Sequence, residues 1–317
     1  MAEDPDGRIG GFSLLTPEER IAVDSWGEGP APEPAVHVVE QLAGALGDRD
    51  DVAIVDGSTS WSGRELWNRV ERLAAGLQAQ GIGPGDRVAI EMRRSADAVV
   101  AILATMRAGA SYVPIDPEQP APRRERLIER AGCALTLRND ADPPVADGPP
   151  SPIERSLDAE AYLLFTSGST GEPKGVPISH RGLAGYLSFA IGHYVPAGDR
   201  PVVALFSALT FDLTVTSLFL PLLTGGRTVV FGDDGPIAMQ RIAAATDITW
   251  CKATPSHLEL LVRLLPPEHS LSTLVVGGEA FPTSLARRLT ATLPGVRIFN
   301  EYGPTEAVVG CMIHEWR

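Results

Sequence analysis

The chain has 317 residues, 44% hydrophobic and 21% charged, with a formal net charge of −13. That is the composition of an ordinary globular protein, with the wrong sign of charge for a nucleic-acid or anionic-membrane surface. No apolar stretch approaches the roughly 20 residues of a membrane span, and the acidic opening lacks the basic start and apolar core of a secretory leader. A cytoplasmic protein is therefore expected, with neither nucleic acid nor membrane as partner.

Residues 1–34 are rich in Pro, Gly, Asp and Glu around one amphipathic segment that begins Leu14-Leu-Thr-Pro-Glu-Glu-Arg. Thr16, Pro17 and Glu19 form a helix start there: a hydroxyl cap, a proline at the first helical position and a carboxylate three residues after the cap. Residues 27–34 read as a linker, so the expected division is 1–34 and a folded body over 35–317. Helical periodicity over 36–46 is followed by alternation of short β-branched runs with longer amphipathic ones. Strands are predicted at 88–91, 111–114, 202–206, 228–231, 248–251, 274–276 and 296–299. Helices are predicted at 96–108 and 123–131, stopped by Gly109 and Gly132, and at 180–191, 214–223, 237–245, 255–265 and 282–293. Residues 140–152 read as a loop. Such alternation implies an α/β fold with two mostly parallel sheets covered by helices on both faces.

The run after the apolar segment 162–165 concentrates hydroxyls, glycines and one ammonium: Thr166, Ser167, Gly168, Ser169, Thr170, Gly171, then Glu172-Pro173-Lys174-Gly175. Glycines admit close backbone approach, hydroxyls donate, and Lys174 supplies a point charge, a set suited to cradling polyphosphate. The order is not that of the usual triphosphate loop, since Pro173 precedes and Gly175 follows the lysine. A Ser/Gly turn joining two elements would have a similar composition. Only Lys174 and Lys252 are lysines among the 27 basic residues, and Lys supplies a compact charge that Arg does not imitate. Cys133, Cys251 and Cys311 have no paired spacing and suggest neither disulfides nor a zinc site.

Two more loops follow predicted strands, Gly277-Gly278-Glu279 and Asn300-Glu-Tyr-Gly-Pro-Thr-Glu306. In parallel sheets ligands bind beyond the carboxyl ends of strands, so these loops and the glycine run are expected to converge on one cleft. Tyr302 can stack on a base, Asn300 can bond a base edge, and Glu306 can hold a hard cation.

With these motifs in this order, the chain resembles the adenylate-forming superfamily, and within it the adenylation domains of nonribosomal peptide synthetases. The resemblance rests on residues 61–74, 107–117 (Arg-Ala-Gly-Ala-Ser-Tyr-Val-Pro-Ile-Asp-Pro), 166–175, 211–214 (Phe-Asp-Leu-Thr) and 300–306, and Leu14 to Arg20 is similar to a condensation-to-adenylation connector. It implies a large N-terminal domain of two stacked sheets without the small C-terminal domain. The implied activity is ATP-dependent and Mg2+-dependent formation of an acyl adenylate, then transfer to a phosphopantetheine thiol, as in antibiotic biosynthesis. Thr166, Lys174, Thr305 and Glu306 would be catalytic, with Glu306 on the metal. Ser167, Gly168, Ser169, Thr170 and Gly171 would hold phosphates, and Gly278, Glu279, Ala280, Asn300 and Tyr302 would frame adenine. Implied partners are a peptidyl carrier protein, an MbtH-like accessory protein and the C-terminal remainder of the domain, in cis or trans. Without that remainder the chain is expected to turn over slowly.

By the same resemblance Asp212 would pair with the α-ammonium of an amino acid, although an aspartate before an apolar helix is also a favoured N-cap. The side-chain pocket would comprise Asp212, Leu213, Thr216, Lys252, Val275, Gly277, Glu301, Val309 and Gly310. Lys252, expected just after its strand, needs a buried partner, and Glu301 can be that partner. Such a pair matches a carboxamide, its oxygen on Lys252 and its nitrogen on Glu301, so L-asparagine is the expected substrate, with L-aspartate the alternative. A buried salt bridge without substrate role, an acyl- or aryl-acid-coenzyme A ligase, and a noncatalytic nucleotide-binding module are the other readings.

Overall fold

The structure, a computed structural model, describes residues 15–27, 35–139, 141–167, 172–232, 235–266 and 268–317. It divides into two compact units, Met1–Ala35 and Val36–Arg317. In the first, helix α1 (Pro17–Gly27) opens on a reciprocal cap: Glu19 N donates to Thr16 Oγ1 at 3.1 Å and Thr16 N to Glu19 Oε2 at 2.8 Å.

The second unit runs α2 (Val38–Leu46), β1 (Val52–Asp56), β2 (Thr59–Ser62), α3 (Gly63–Ala79), β3 (Arg87–Glu91), α4 (Ala96–Ala108), β4 (Ser111–Pro114), α5 (Ala121–Ala131), β5 (Leu135–Arg138), β6 (Glu160–Thr166) and β7 (Lys174–Ser179). It continues α6 (His180–Tyr194), β8 (Val202–Leu205), α7 (Leu213–Leu223), β9 (Arg227–Val230), α8 (Gly235–Ala244), β10 (Trp250–Ala253), α9 (Pro255–Leu261), β11 (Thr273–Val276), α10 (Thr283–Thr292), β12 (Arg297–Tyr302) and β13 (Met312–Trp316).

Two sheets result. One has eight strands in the order β13-β12-β11-β10-β8-β9-β1-β2, and the other five in the order β5-β3-β4-β6-β7. Parallel pairing dominates, with antiparallel strands β13, β2 and β7 at the edges. Helix α4 touches β3 and β4 of the small sheet and β1 of the large one, while α6 packs on β6, β7 and α7, and α7 on β8, β9 and β10. These helices fill the space between the sheets, and their composition reflects it: α4 and α7 are apolar on nearly every side. On the far face of the large sheet α8, α9 and α10 bury Met239, Ile242, Leu258, Leu261, Leu285 and Leu289 against Leu274, Val276 and Ile298. On the far face of the small sheet Leu127 and Ala131 of α5 close over Ala89, Val113 and Leu163.

Local chemistry sets the element ends. Helix α4 begins where Ser95 accepts from Ala98 N at 3.1 Å and ends where Gly109 takes φ 97°, a left-handed conformation that glycine adopts without steric penalty. Several strands depart from the sequence expectation. β10 is displaced to 250–253, which puts Lys252 inside the strand instead of after it, and all four of its residues are buried. β1, β2, β5, β7 and β13 have no counterpart among the predicted strands. β7 starts on Lys174-Gly175, a pair of low strand propensity, and exists because it pairs with β6, Thr166 opposite Lys174.

Candidate active site

The glycine run is the connection of the β6–β7 hairpin. Thr166 is half-buried at the end of β6, Ser167 is exposed, and Lys174 starts β7. Gly168, Ser169, Thr170 and Gly171 lie outside the described residues. On the returning side of the connection, Glu172 accepts from Arg126 and from Arg130 (3.1 Å) of α5. The Lys174 ammonium reaches the large sheet, with Nζ 3.2 Å from Glu306 Oε1. Glu306 sits in a 3-10 turn, Thr305–Ala307, after β12, and its carboxyl lies below the usual range because its own backbone N–H and then Lys174 favour the charged form.

The neighbouring Thr305 donates from Oγ1 to Asp212 Oδ2 at 2.7 Å. Asp212 stands at the N-cap position of α7 but has helical φ and ψ (−61° and −28°), and its side chain makes no capping hydrogen bond. The carboxylate is turned instead toward the loop after β12. Burial pushes its pKa up, against the opposing pull of the Thr305 hydroxyl.

Two cavities meet at this point. The first, about 470 Å³, is lined by Phe206, Ser207, Phe211, Asp212, Leu213, Lys252, Thr254, Ser256, His257, Gly277, Gly278, Glu279, Glu301, Gly303 and Val309. The second, about 460 Å³, is lined by Asp116, Gln119, Arg123, Thr166, Ser167, Pro173, Phe211, Asp212 and Thr305 among others. Phe211 and Asp212 belong to both walls, so the end of the glycine run and the interior of the large sheet open onto a common boundary.

At the floor of the first cavity lies a buried polar cluster. Lys252, in register with Val275 and Phe299 across β10, β11 and β12, shares a face with Glu301 two residues further along β12. Lys252 Nζ donates to Glu301 Oε2, to Thr216 Oγ1 at 3.0 Å and to the Tyr186 hydroxyl at 3.1 Å. Glu301 Oε1 accepts from Tyr194 at 2.6 Å and from Tyr186 at 3.0 Å. Burial pulls the Lys252 ammonium below its ordinary value, and the Glu301 carboxylate opposes that pull.

The cavity brings together Asp212, Leu213, Lys252, Gly277, Glu301 and Val309 with Gly278 and Glu279. Thr216 and Val275 are fully buried behind it, and Gly310 backs Glu301, where an added Cβ would come within 2.4 Å of the carboxyl carbon. Ala280, Asn300 and Tyr302 are exposed and do not line it. Glu279 accepts from Ser256 N at 3.1 Å and Ser256 Oγ at 2.5 Å.

Sequence reasoning passed over Phe206, Thr254, Ser256, His257, Tyr186 and Tyr194. A signal for three of them was present: Thr254-Pro-Ser-His257 is a helix start directly after a parallel strand, with Thr254 as cap, so it too lies at a carboxyl-terminal strand end. Tyr186 and Tyr194 gave none, being two apolar-face residues of α6 whose hydroxyls acquire meaning only through Glu301.

The model of the family described as AMP-binding enzyme matches residues 43–317. Bacitracin synthase 3 of Bacillus licheniformis is 38% identical over 282 residues, covering 83% of this chain and 4% of the synthase. The nonribosomal peptide synthetase FmoA3, solved also with AMPPNP and with alpha-methyl-L-serine-AMP bound, superposes with a TM-score of 0.86 at 27% identity, over 95% of this chain and 35% of FmoA3. The NpsA N-terminal subdomain of Klebsiella oxytoca, in complex with 3-hydroxyanthranilyl-AMSN, gives 0.76 at 25% identity, over 89% of this chain and 76% of that subdomain. The chain thus spans a small fraction of the synthase it matches.

Proposed function

The chain belongs to the AMP-binding enzyme family, and from that premise we propose that it activates L-asparagine with ATP, giving the aminoacyl adenylate and pyrophosphate for loading onto a phosphopantetheine carrier protein in nonribosomal peptide synthesis. The observation that carries the reading is a cavity with Asp212 at its boundary with the glycine run and the Lys252–Glu301 pair at its floor. A carboxylate at the rim suits the α-ammonium of an amino acid, and a neutral ion pair at the floor suits a neutral polar side chain. An aspartate side chain would find Lys252 but would stand beside Glu301.

In this reading the substrate carboxylate oxygen attacks the α-phosphorus and pyrophosphate leaves, so that the protein supplies position and charge and no covalent nucleophile. Asp212 orients the amino group. Thr305, already beside Asp212, would contact the reacting phosphate, and Lys174 would meet the charge that builds on the leaving group. Glu306 offers one carboxylate, and among the described residues no group of three or more His, Cys, Asp or Glu side chains could hold a metal alone. That fits magnesium, which takes one or two carboxylates together with nucleotide phosphates, and bound there it would neutralise phosphate charge.

On this reading the activity takes place in the cytoplasm. The partners are a peptidyl carrier protein, an MbtH-like accessory protein and the remainder of an adenylation domain in cis or trans, and residues 1–34 serve as the connector before the core. Exchange of labelled pyrophosphate into ATP, measured with each proteinogenic amino acid in turn, tests the substrate. Asparagine is expected to give the highest rate, and a highest rate with a large apolar amino acid would reject the reading.

A further inference from the structure

The cluster beneath the cavity is closed in its protons. Lys252 has three N–H donors, and they go to Tyr186, Thr216 and Glu301. Tyr194 spends its one proton on Glu301 Oε1, and Tyr186 spends its own on the same oxygen. Thr216, 2.5 Å from the Tyr186 oxygen, then donates to Tyr186. No donor is left over. What remains is acceptor capacity, chiefly the second lone pair of Glu301 Oε2, and Glu301 is part of the cavity wall. Burial and the adjacent Glu301 carboxylate push both phenols far above their ordinary values, so they stay protonated donors throughout the physiological range.

We propose that Tyr186 and Tyr194, which do not themselves line the cavity, determine its selectivity by consuming hydrogen-bonding capacity below it. They leave a floor that accepts but does not donate, so a side chain ending in an N–H or O–H donor is taken and a carboxylate is refused. The inference rests on the reading of the cavity as an amino-acid site and deepens it. It also alters the simplest picture of asparagine binding: a carboxamide nitrogen finds Glu301 free to accept, whereas its oxygen reaches Lys252 only by displacing Tyr186 or Thr216.

The two tyrosines make opposite predictions for the same chemical change. Tyr186→Phe removes a donor to Glu301, as Tyr194→Phe does, but it also removes an acceptor from Lys252 and releases an N–H into the floor, which should admit a carboxylate. Tyr194→Phe removes only a donor to Glu301 and adds acceptor capacity, which should keep the carboxylate out. Thr216→Val should act like Tyr186→Phe, and it carries the test if the latter fails to fold.

The experiment is equilibrium binding to the 317-residue chain and the three variants, with L-asparagine against L-aspartate and with acetamide against acetate as fragment probes. The amide-to-acid affinity ratio should fall by about tenfold or more, the scale of one hydrogen bond to a charged group, in Tyr186→Phe and Thr216→Val. It should hold or rise in Tyr194→Phe. Parallel shifts in the two tyrosine variants, or an unchanged ratio in both Tyr186→Phe and Thr216→Val, would overturn the proposal while a wild-type preference for asparagine left the substrate reading intact. The expected pattern with the fragment probes, without binding of either amino acid, would sink the substrate reading and leave the floor mechanism standing. No pattern with either pair would count against both.

Discussion

Lys174 Nζ lies 3.2 Å from Glu306 Oε1, joining the hairpin of the small sheet to the last loops of the large one. Both side chains are substantially exposed, 64% and 49%, so the pair adds little stability and opens easily. On the proposed function, a cation suited to phosphate and a carboxylate suited to a metal are thus held against each other, and ATP with its metal would separate them.

Glu306→Gln should therefore raise the affinity for ATP in the presence of EDTA by about three- to tenfold, since it removes both a competitor for Lys174 and a charge that repels phosphate. The same change should cancel the gain that magnesium gives the wild type. Calorimetric titration of ATP with and without the metal measures both effects.

Asp212→Asn keeps the shape of the boundary between the cavities and removes its charge. Affinity for the amino acid should fall on the order of 10- to 100-fold, the cost of losing a charge-assisted hydrogen bond, while ATP affinity stays within about twofold. A coenzyme A ligase acting on an acid without an amino group would not show this asymmetry, so paired titrations of amino acid and nucleotide separate the two classes.

Lys252→Met strands the Glu301 carboxylate, with two phenols but no cation, in a site whose side chains are 1% and 3% exposed. Unfolding free energy from urea titration should drop by roughly 3–5 kcal/mol. Adding Glu301→Gln to Lys252→Met should restore most of that loss, because the penalty lies in the uncompensated charge and not in the lost contact.

His37 and His180 are buried with ring centroids 4.0 Å apart, and burial lowers their pKa values from 6.5 to about 4 and about 3. Unfolding frees both to take up protons first, so the stability they contribute is complete above about pH 6.5 and declines as pH falls toward about 4 and then about 3. By pH 5 the decline should reach at most about 2 kcal/mol per histidine. Thermal melts between about pH 7.5 and 4.5 should show it, and His180→Phe, which keeps a ring against His37, should flatten the slope.

The legible parts of this sequence were those with local causes. Ser95 and Gly109 bound α4 through a cap and a left-handed stop, and its predicted span 96–108 agrees with the structure. Proline-led α9 and the alternation of helix with strand were equally local. The displaced β10 shows where that stops: a lysine in a short apolar run argues for a strand end, and only the carboxylate of Glu301, two strands away across β11, explains why Lys252 can lie inside. The site followed the same division. Asp212 and Lys174 stood out by residue type in short motifs, whereas Tyr186 and Tyr194 looked like core residues of a helix, since their roles depend on 115- and 107-residue separations from Glu301.

The central claim, that this cavity selects asparagine for adenylation, is met most directly by mass-spectrometric identification of the adenylate. The polypeptide that carries this chain would be given ATP, magnesium and an equimolar mixture of the proteinogenic amino acids. Asparaginyl-AMP should dominate, and Asp212→Asn should abolish it. Aspartyl-AMP in excess, an adenylate of a large apolar amino acid, or no adenylate from any amino acid would contradict the account.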